Sequence, residues 1–211
     1  MGKEDQVQQY SFSFYLEEKR IIVNCDQKLY EDYVSISTPD NIKSLFPEES
    51  LMEEEIGQII NYFISFIYGV SLVMNRFNIE SPQITIIDNP QEKQGFTGIG
   101  YFPEPQVIGI SREFILDLLR TKREYYVSGD YEEGGKLLIL SVDPTMNILS
   151  FGIQETIHHY QNLQNKGFSD NTQKWSERDE EIEAYNITKE IVCADPDLKD
   201  KFQFVDDYKP S

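Results

Sequence analysis

From Ile56 to Met74 the chain runs through nineteen residues without a charge, and any fold it adopts must take most of this stretch out of water. Nineteen apolar-leaning residues are also about the length that crosses a bilayer as a helix. However, Gln58, Asn61, Ser65 and Tyr68 recur at spacings of three and four, which draws a polar stripe down one side. That stripe predicts a helix packed inside a folded domain rather than a membrane span. The acidic run Glu48–Glu55 leads into it, and negative charge is favourable at a helix N-terminus.

A chain of 211 residues can wrap one well-buried core around such a helix. Before the helix, the even positions of Tyr10–Leu16 are large and apolar, the alternation of a half-buried strand. Glu17 to Arg20 reads as a turn and Ile21-Ile22-Val23 as the returning strand, while Pro39-Asp40 and Pro47 punctuate a loop-rich stretch. Residues 1–50 are therefore expected to form a β-rich N-terminal extension packed on a main unit of residues 51–211. After the helix, Gln83 to Ile87 reads as a strand ending at Asn89-Pro90. The glycine-rich Gly95 to Tyr101 reads as a turn or bulge; it lacks the helix and Lys of a phosphate-binding loop. Gln106, Val107, Ile108, Gly109 and Ile110 form a second strand, and Pro103 and Pro105 just before it suit an edge position. Ser111 caps a helix through about Tyr126, followed by the apolar run Leu137–Leu140. Asp143-Pro144 is a strong start signal for a helix reaching about Asn165, with Gly167 as its stop. A last helix begins near Ser176 and ends before Asp195-Pro196. Strands, helix, strands and helices in this order define an α+β protein in one compact unit.

Acidic residues number 37 against 19 basic ones, a net charge of -18. Such a surface repels phosphate backbones and excludes nucleic-acid binding through a basic groove. It leaves a basic protein or peptide partner, a bound cation, or mimicry of a nucleic acid by lined-up carboxylates. Mimicry would require no cleft near the two histidines. Only Cys25 and Cys193 are present, far apart, so no disulfide framework is indicated. With no apolar run in the first residues, a cytoplasmic protein without a membrane partner is expected.

The last two helices hold the residues that can carry chemistry. At about 100° per residue, Met146, Leu149, Ile153, Ile157 and Tyr160 share the buried face of the first. Gln154 and His158 lie one turn apart beside it, with Glu155 flanking His158. On the second, Ala184, Tyr185, Ile187, Ile191 and Val192 face the core. Glu180 and Glu181 fall in that sector while Glu183 points away. A carboxylate on an inward face needs a partner, either a cation or an imidazole.

Gln154-Glu155-Thr156-Ile157-His158 followed by Glu181-Ile182-Glu183-Ala184 resembles the zincin metallopeptidases, specifically their gluzincin branch. The surrounding Ile148–Gln161, with Gln161 three residues beyond the histidine, is similar to that family too, and the resemblance covers roughly residues 55–192. It implies a zincin-like fold in which two active-site helices bind zinc. His158 and Glu181 would be ligands, Glu155 would be the general base on a metal-bound water, and residues 106–110 would be the strand that holds the substrate backbone.

The departure is at Gln154, where the family has its first zinc-binding histidine. An amide oxygen is a poor zinc ligand beside imidazole. The chain has only two histidines, His158 and His159, and as helix neighbours they diverge by about 100°. Three readings stay open. The protein is a pseudo-peptidase that binds or regulates another protein. It is an active metal-dependent peptidase with a weak site of Glu155, His158 and Glu181, with or without Gln154. Or Gln154 is a change introduced to silence a working peptidase. An unrelated α+β protein with a buried His158–Glu181 pair is the bland alternative.

Overall fold

The computed structural model describes residues 10–16, 18–87, 98–121, 139–140, 143–168 and 178–204. An antiparallel hairpin, β1 (Tyr10–Leu16) and β2 (Lys19–Cys25), opens it in the register Phe12 to Val23. The turn is tighter than the expected Glu17–Arg20, because Lys19 and Arg20 already pair with β1. Two helices follow, α1 (Gln27–Ile36) and α2 (Pro39–Leu45). The β-rich reading of residues 1–50 thus covers the hairpin and misses both helices. Asp26 caps α1 by accepting the Leu29 N–H, and Thr38 accepts from Asn41 with Pro39 in the first turn of α2. Thr38-Pro39 is the same start signal as Asp143-Pro144, and here it opens a helix rather than a loop.

The uncharged run lies in α3 (Glu53–Phe77), where the Glu55 carboxylate accepts the Met52 N–H at 2.7 Å and Asn78 stops the helix at φ 51°. By length and composition α3 is long and apolar enough to cross a membrane, but 72% of its most apolar window is buried inside the protein. The polar stripe expected along it does not mark a solvent face. Asn61 is exposed, whereas Ser65 and Tyr68 are buried. The Tyr68 hydroxyl instead bonds Asp195 at 3.1 Å. Protein surrounds the middle of α3 on every side.

The three-stranded sheet is ordered β3 (Gln83–Ile87), β5 (Val107–Ser111), β4 (Ile99–Phe102), with β3 parallel and β4 antiparallel to β5. The expected edge strand is therefore the central one. Val107, Ile108, Gly109 and Ile110 are all buried between two neighbours, while Gln106 sits exposed in the β4–β5 turn at φ 69°. Pro103 and Pro105 also lie in that turn, where no ladder N–H is required, and they carry no information about the strand beyond it. Part of the glycine-rich stretch is the edge strand β4; residues 95–97, like the Asn89-Pro90 stop, lie outside the described residues.

Ser111 leads into α4 (Arg112–Thr121), and its hydroxyl accepts the Phe114 N–H; the expected continuation to Tyr126 lies outside the described residues. β6 (Ile139–Leu140) pairs with β7 (Gln203–Phe204). Between these two short strands in sequence run α5 (Pro144–Leu163) and α6 (Asp179–Ala194). Asp143 caps α5 through the Thr145 N–H with Pro144 in its first turn. The stop is Asn165 at φ 56°, not Gly167. The Lys166 N–H returns to the Gln161 carbonyl and the Asn165 N–H to that of Asn162, a Schellman closure.

Helices α3 and α5 cross with their backbones nearly touching. A Cβ on Gly69 would stand 2.3 Å from the Leu149 carbonyl oxygen, and one on Gly152 would stand 2.3 Å from that of Phe66. Gly57, earlier in α3, has open space where its Cβ would be. Opposite signs are expected from the same change. Gly152→Ala should destabilise the protein by about 1–3 kcal/mol or prevent folding, whereas Gly57→Ala should stabilise it by about 0.5–1 kcal/mol. Urea unfolding of the two variants checks both.

Candidate functional site

Because α3 holds α5 at backbone distance, the other side of α5 faces α6 and the edge strand β4 and lines a cleft of about 500 Å³. Gln154, Glu155 and His158 come from α5, Glu180 and Glu181 from α6, and Gly100 and Tyr101 from β4; Phe151 and Phe168 add aromatic surface, and Arg178 lies at the start of α6. The four residues expected from the sequence to form the site are thus brought together. Residues 106–110 are not; the strand beside the cleft is β4. A cleft next to His158 is also the opposite of what nucleic-acid mimicry expects.

Gln161 organises the site. It is fully buried, and its amide nitrogen donates to the Glu180 carbonyl at 3.0 Å and to Glu183 Oε2 at 2.9 Å. With both N–H groups so used, its Oε1, 2.8 Å from His158 Nδ1, must accept, so Nδ1 carries a proton. His158 Nε2 is thereby aimed at Glu181 Oε2, 3.2 Å away. Glu183, expected to point away, turns back to bond Gln161 and Lys166, the latter at 2.6 Å. The sequence alone offers one signal for this role: Glu183 lies one turn from Asp179 and Glu180, on a helix that has to dock against α5.

Burial depresses the His158 imidazolium, but its bond to Glu181, the charges of Glu155 and Glu181 and the bond to Gln161 outweigh this and raise it to about 9. The Glu155 pKa is raised as well, which for a carboxyl favours the neutral form. Burial lifts it from 4.5 to about 7, the charge of Glu181 adds to this, and His158 and the Tyr101 N–H oppose it. That N–H donates to Glu155 Oε2 at 2.6 Å, which ties α5 to β4. Farther along α5, Asn162 donates to the Tyr101 hydroxyl at 3.0 Å, and His159 Nδ1 lies 3.3 Å from the same oxygen. The two histidines diverge: His158 faces the cleft, while His159 is buried against Tyr101 and the Glu80 backbone carbonyl, and burial lowers its pKa.

Two ligands at about 2.0–2.2 Å from a tetrahedral zinc stand about 3.3 Å apart, close to the separation of His158 Nε2 and Glu181 Oε2. The third position is the weak one. Among the described residues no group of three His, Cys, Asp or Glu side chains converges as a metal site, and Gln154 contributes only an amide. The described donors are thus two good zinc ligands and an amide, a poor one.

No protein-family model, curated protein or solved structure matches this chain. Its described architecture is that of an α+β protein with small sheets and six helices.

Both shifted groups carry a pH dependence of the same sign. Glu155, with its folded pKa raised from 4.5 to about 7, contributes stability that is present below 4.5 and lost as pH rises through 7. His158, raised from 6.5 to about 9, contributes stability present below 6.5 and lost as pH rises through 9. Glu155→Gln, neutral throughout, should leave stability at pH 5 nearly unchanged and raise it at pH 8 by about 1–3 kcal/mol. Urea unfolding at the two pH values measures this, and equal effects at both would contradict a buried, neutral-favouring Glu155.

Proposed function

We propose that this chain is a zincin-like, gluzincin-type protein without a working metal centre, a pseudo-peptidase whose cleft binds an extended segment of a protein or peptide. The observation that carries the reading is the state of His158. Its Nδ1 is fixed by Gln161, its Nε2 is engaged by Glu181, and the position one turn back holds Gln154 instead of a second imidazole. His158 Nε2 and Glu181 Oε2 stand 3.2 Å apart as two arms at ligand-like separation, and the residue one turn before His158 is an amide. The edge strand β4 beside the cleft takes the backbone-holding role that the resemblance assigned to residues 106–110. A net charge of -18 favours a basic segment as partner.

The alternative, an active metal-dependent peptidase using Glu155, His158 and Glu181, requires zinc to displace the His158 Nε2 proton and bind without a third good donor. Zinc titration separates the two. The wild type should bind no zinc at low micromolar concentration. Gln154→His should bind about one zinc per chain, and adding Glu181→Ala to it should remove that binding. Stoichiometric zinc in the wild type, lost in His158→Ala, would instead establish the metal site and send the work to protease assays.

A further inference from the structure

The Glu155–Tyr101 contact has no place in the zinc chemistry that the motif implies. The Ser111 N–H donates to the Gly98 carbonyl at 2.8 Å, so these two form a hydrogen-bonded pair across β4 and β5. Bonded and non-bonded pairs alternate in an antiparallel ladder, which makes Gly100 and Gly109 the next bonded pair. Ile99 and Tyr101 therefore turn their N–H and C=O groups away from β5, along the edge that borders the cleft. Three of these four groups accept or donate no bond to any described residue. The fourth, the Tyr101 N–H, is taken by Glu155 Oε2 at 2.6 Å.

We infer that Glu155 is a latch: its side-chain oxygen occupies the Tyr101 N–H, one of the two edge-strand donors that an incoming extended peptide would use, and so holds the cleft in a self-closed, low-affinity state. This rests on the peptide-binding reading above. A segment adding to β4 as a further strand would place a carbonyl where Glu155 Oε2 now lies, and a carboxylate oxygen repels a carbonyl oxygen as well as competing for the N–H. The competition is direct because one N–H serves either the Glu155 oxygen, 2.6 Å away, or the incoming carbonyl. Glu155 is held in place by its helix: α5 is fixed against α3 at Gly152, and Tyr101 is bound to α5 again through its hydroxyl and Asn162. Binding must then displace Glu155, the residue that a peptidase would keep for catalysis and whose removal would silence one.

The test uses the full chain and a fluorescein-labelled, amidated hexapeptide pool with lysine fixed at the third position and the other positions mixed among Val, Thr and Ile. Fluorescence polarisation should show weak binding by the wild type. Glu155→Ala should bind roughly tenfold more tightly, and Glu155→Gln, which keeps an uncharged acceptor, by an intermediate factor. The Tyr101 amide resonance should move on peptide addition to the wild type and, without peptide, on mutation of Glu155. Equal affinities of wild type and variants would overturn the latch and leave the peptide-binding reading intact. No binding by any of the three proteins would overturn that reading and the latch with it. If Glu155→Ala does not fold, Glu155→Gln alone decides, and an affinity no tighter than wild type overturns the latch.

Discussion

The crossing of α3 and α5 at Gly69 and Gly152 fixes everything on the far side of α5. Each glycine stands where a methyl group would meet a carbonyl oxygen of the other helix at 2.3 Å. A glycine inside a helix costs about 1 kcal/mol relative to alanine, and here the loss is offset by dispersion contacts along two helices in close approach. Helices locked at this distance neither slide nor roll easily. The polar edge of α5 is consequently presented to β4 and α6 at one angle, and Gln154, Glu155 and His158 reach the cleft while Ile153 and Ile157 stay fully buried.

With α5 placed, the cleft is held by polar groups that satisfy one another. His158 bonds Gln161 and Glu181, Gln161 bonds Glu180 and Glu183, Glu183 bonds Lys166, and Glu155 bonds the Tyr101 backbone. Burying any of these alone would cost several kcal/mol. Taken together they form a network in which removing one member strands the next. The raised His158 and Glu155 follow from the same arrangement: one imidazolium is surrounded by carboxylates, and one of those carboxylates lies too deep to ionise freely.

The parts of the fold that were legible in the sequence are those written in a single segment. The long α3, the capped start of α5 at Asp143-Pro144, the hairpin alternation of Tyr10–Leu16 and the inward Glu180 all follow from local periodicity and cap chemistry. That Gln154, Glu155 and His158 share one side of α5 was legible for the same reason, since helical spacing determines which residues share a face; that Glu181 of the next helix joins them was implied by the gluzincin resemblance. What was not legible depends on partners distant in sequence. Whether residues 107–111 are an edge or a centre depends on two other strands, and the prolines nearby belong to the turn. The polar stripe of α3 shows that the helix packs inside a domain, but not that Ser65 and Tyr68 are buried in it, with Asp195 bonding Tyr68. Glu183 has no reason to turn inward until Gln161 and Lys166 are beside it. The Thr38-Pro39 start of α2 is a different case, because its local signal is present and the same proline also reads as a breaker.

A metal in a site of this shape would do two separate jobs, activating a water and cross-linking two helices through their side chains. The protein's own side chains also cross-link these two helices. The His158–Glu181 pair bridges α5 to α6 at 3.2 Å, and Gln161 reinforces it from the other ring nitrogen while reaching the α6 backbone. Unlike a zinc site, that bridge needs only one histidine, so a glutamine at position 154 leaves it intact and removes no structural bond. The two jobs therefore have different tolerances to the same residue. The ordering of His158 and Glu181 follows from the docking of α6 on α5.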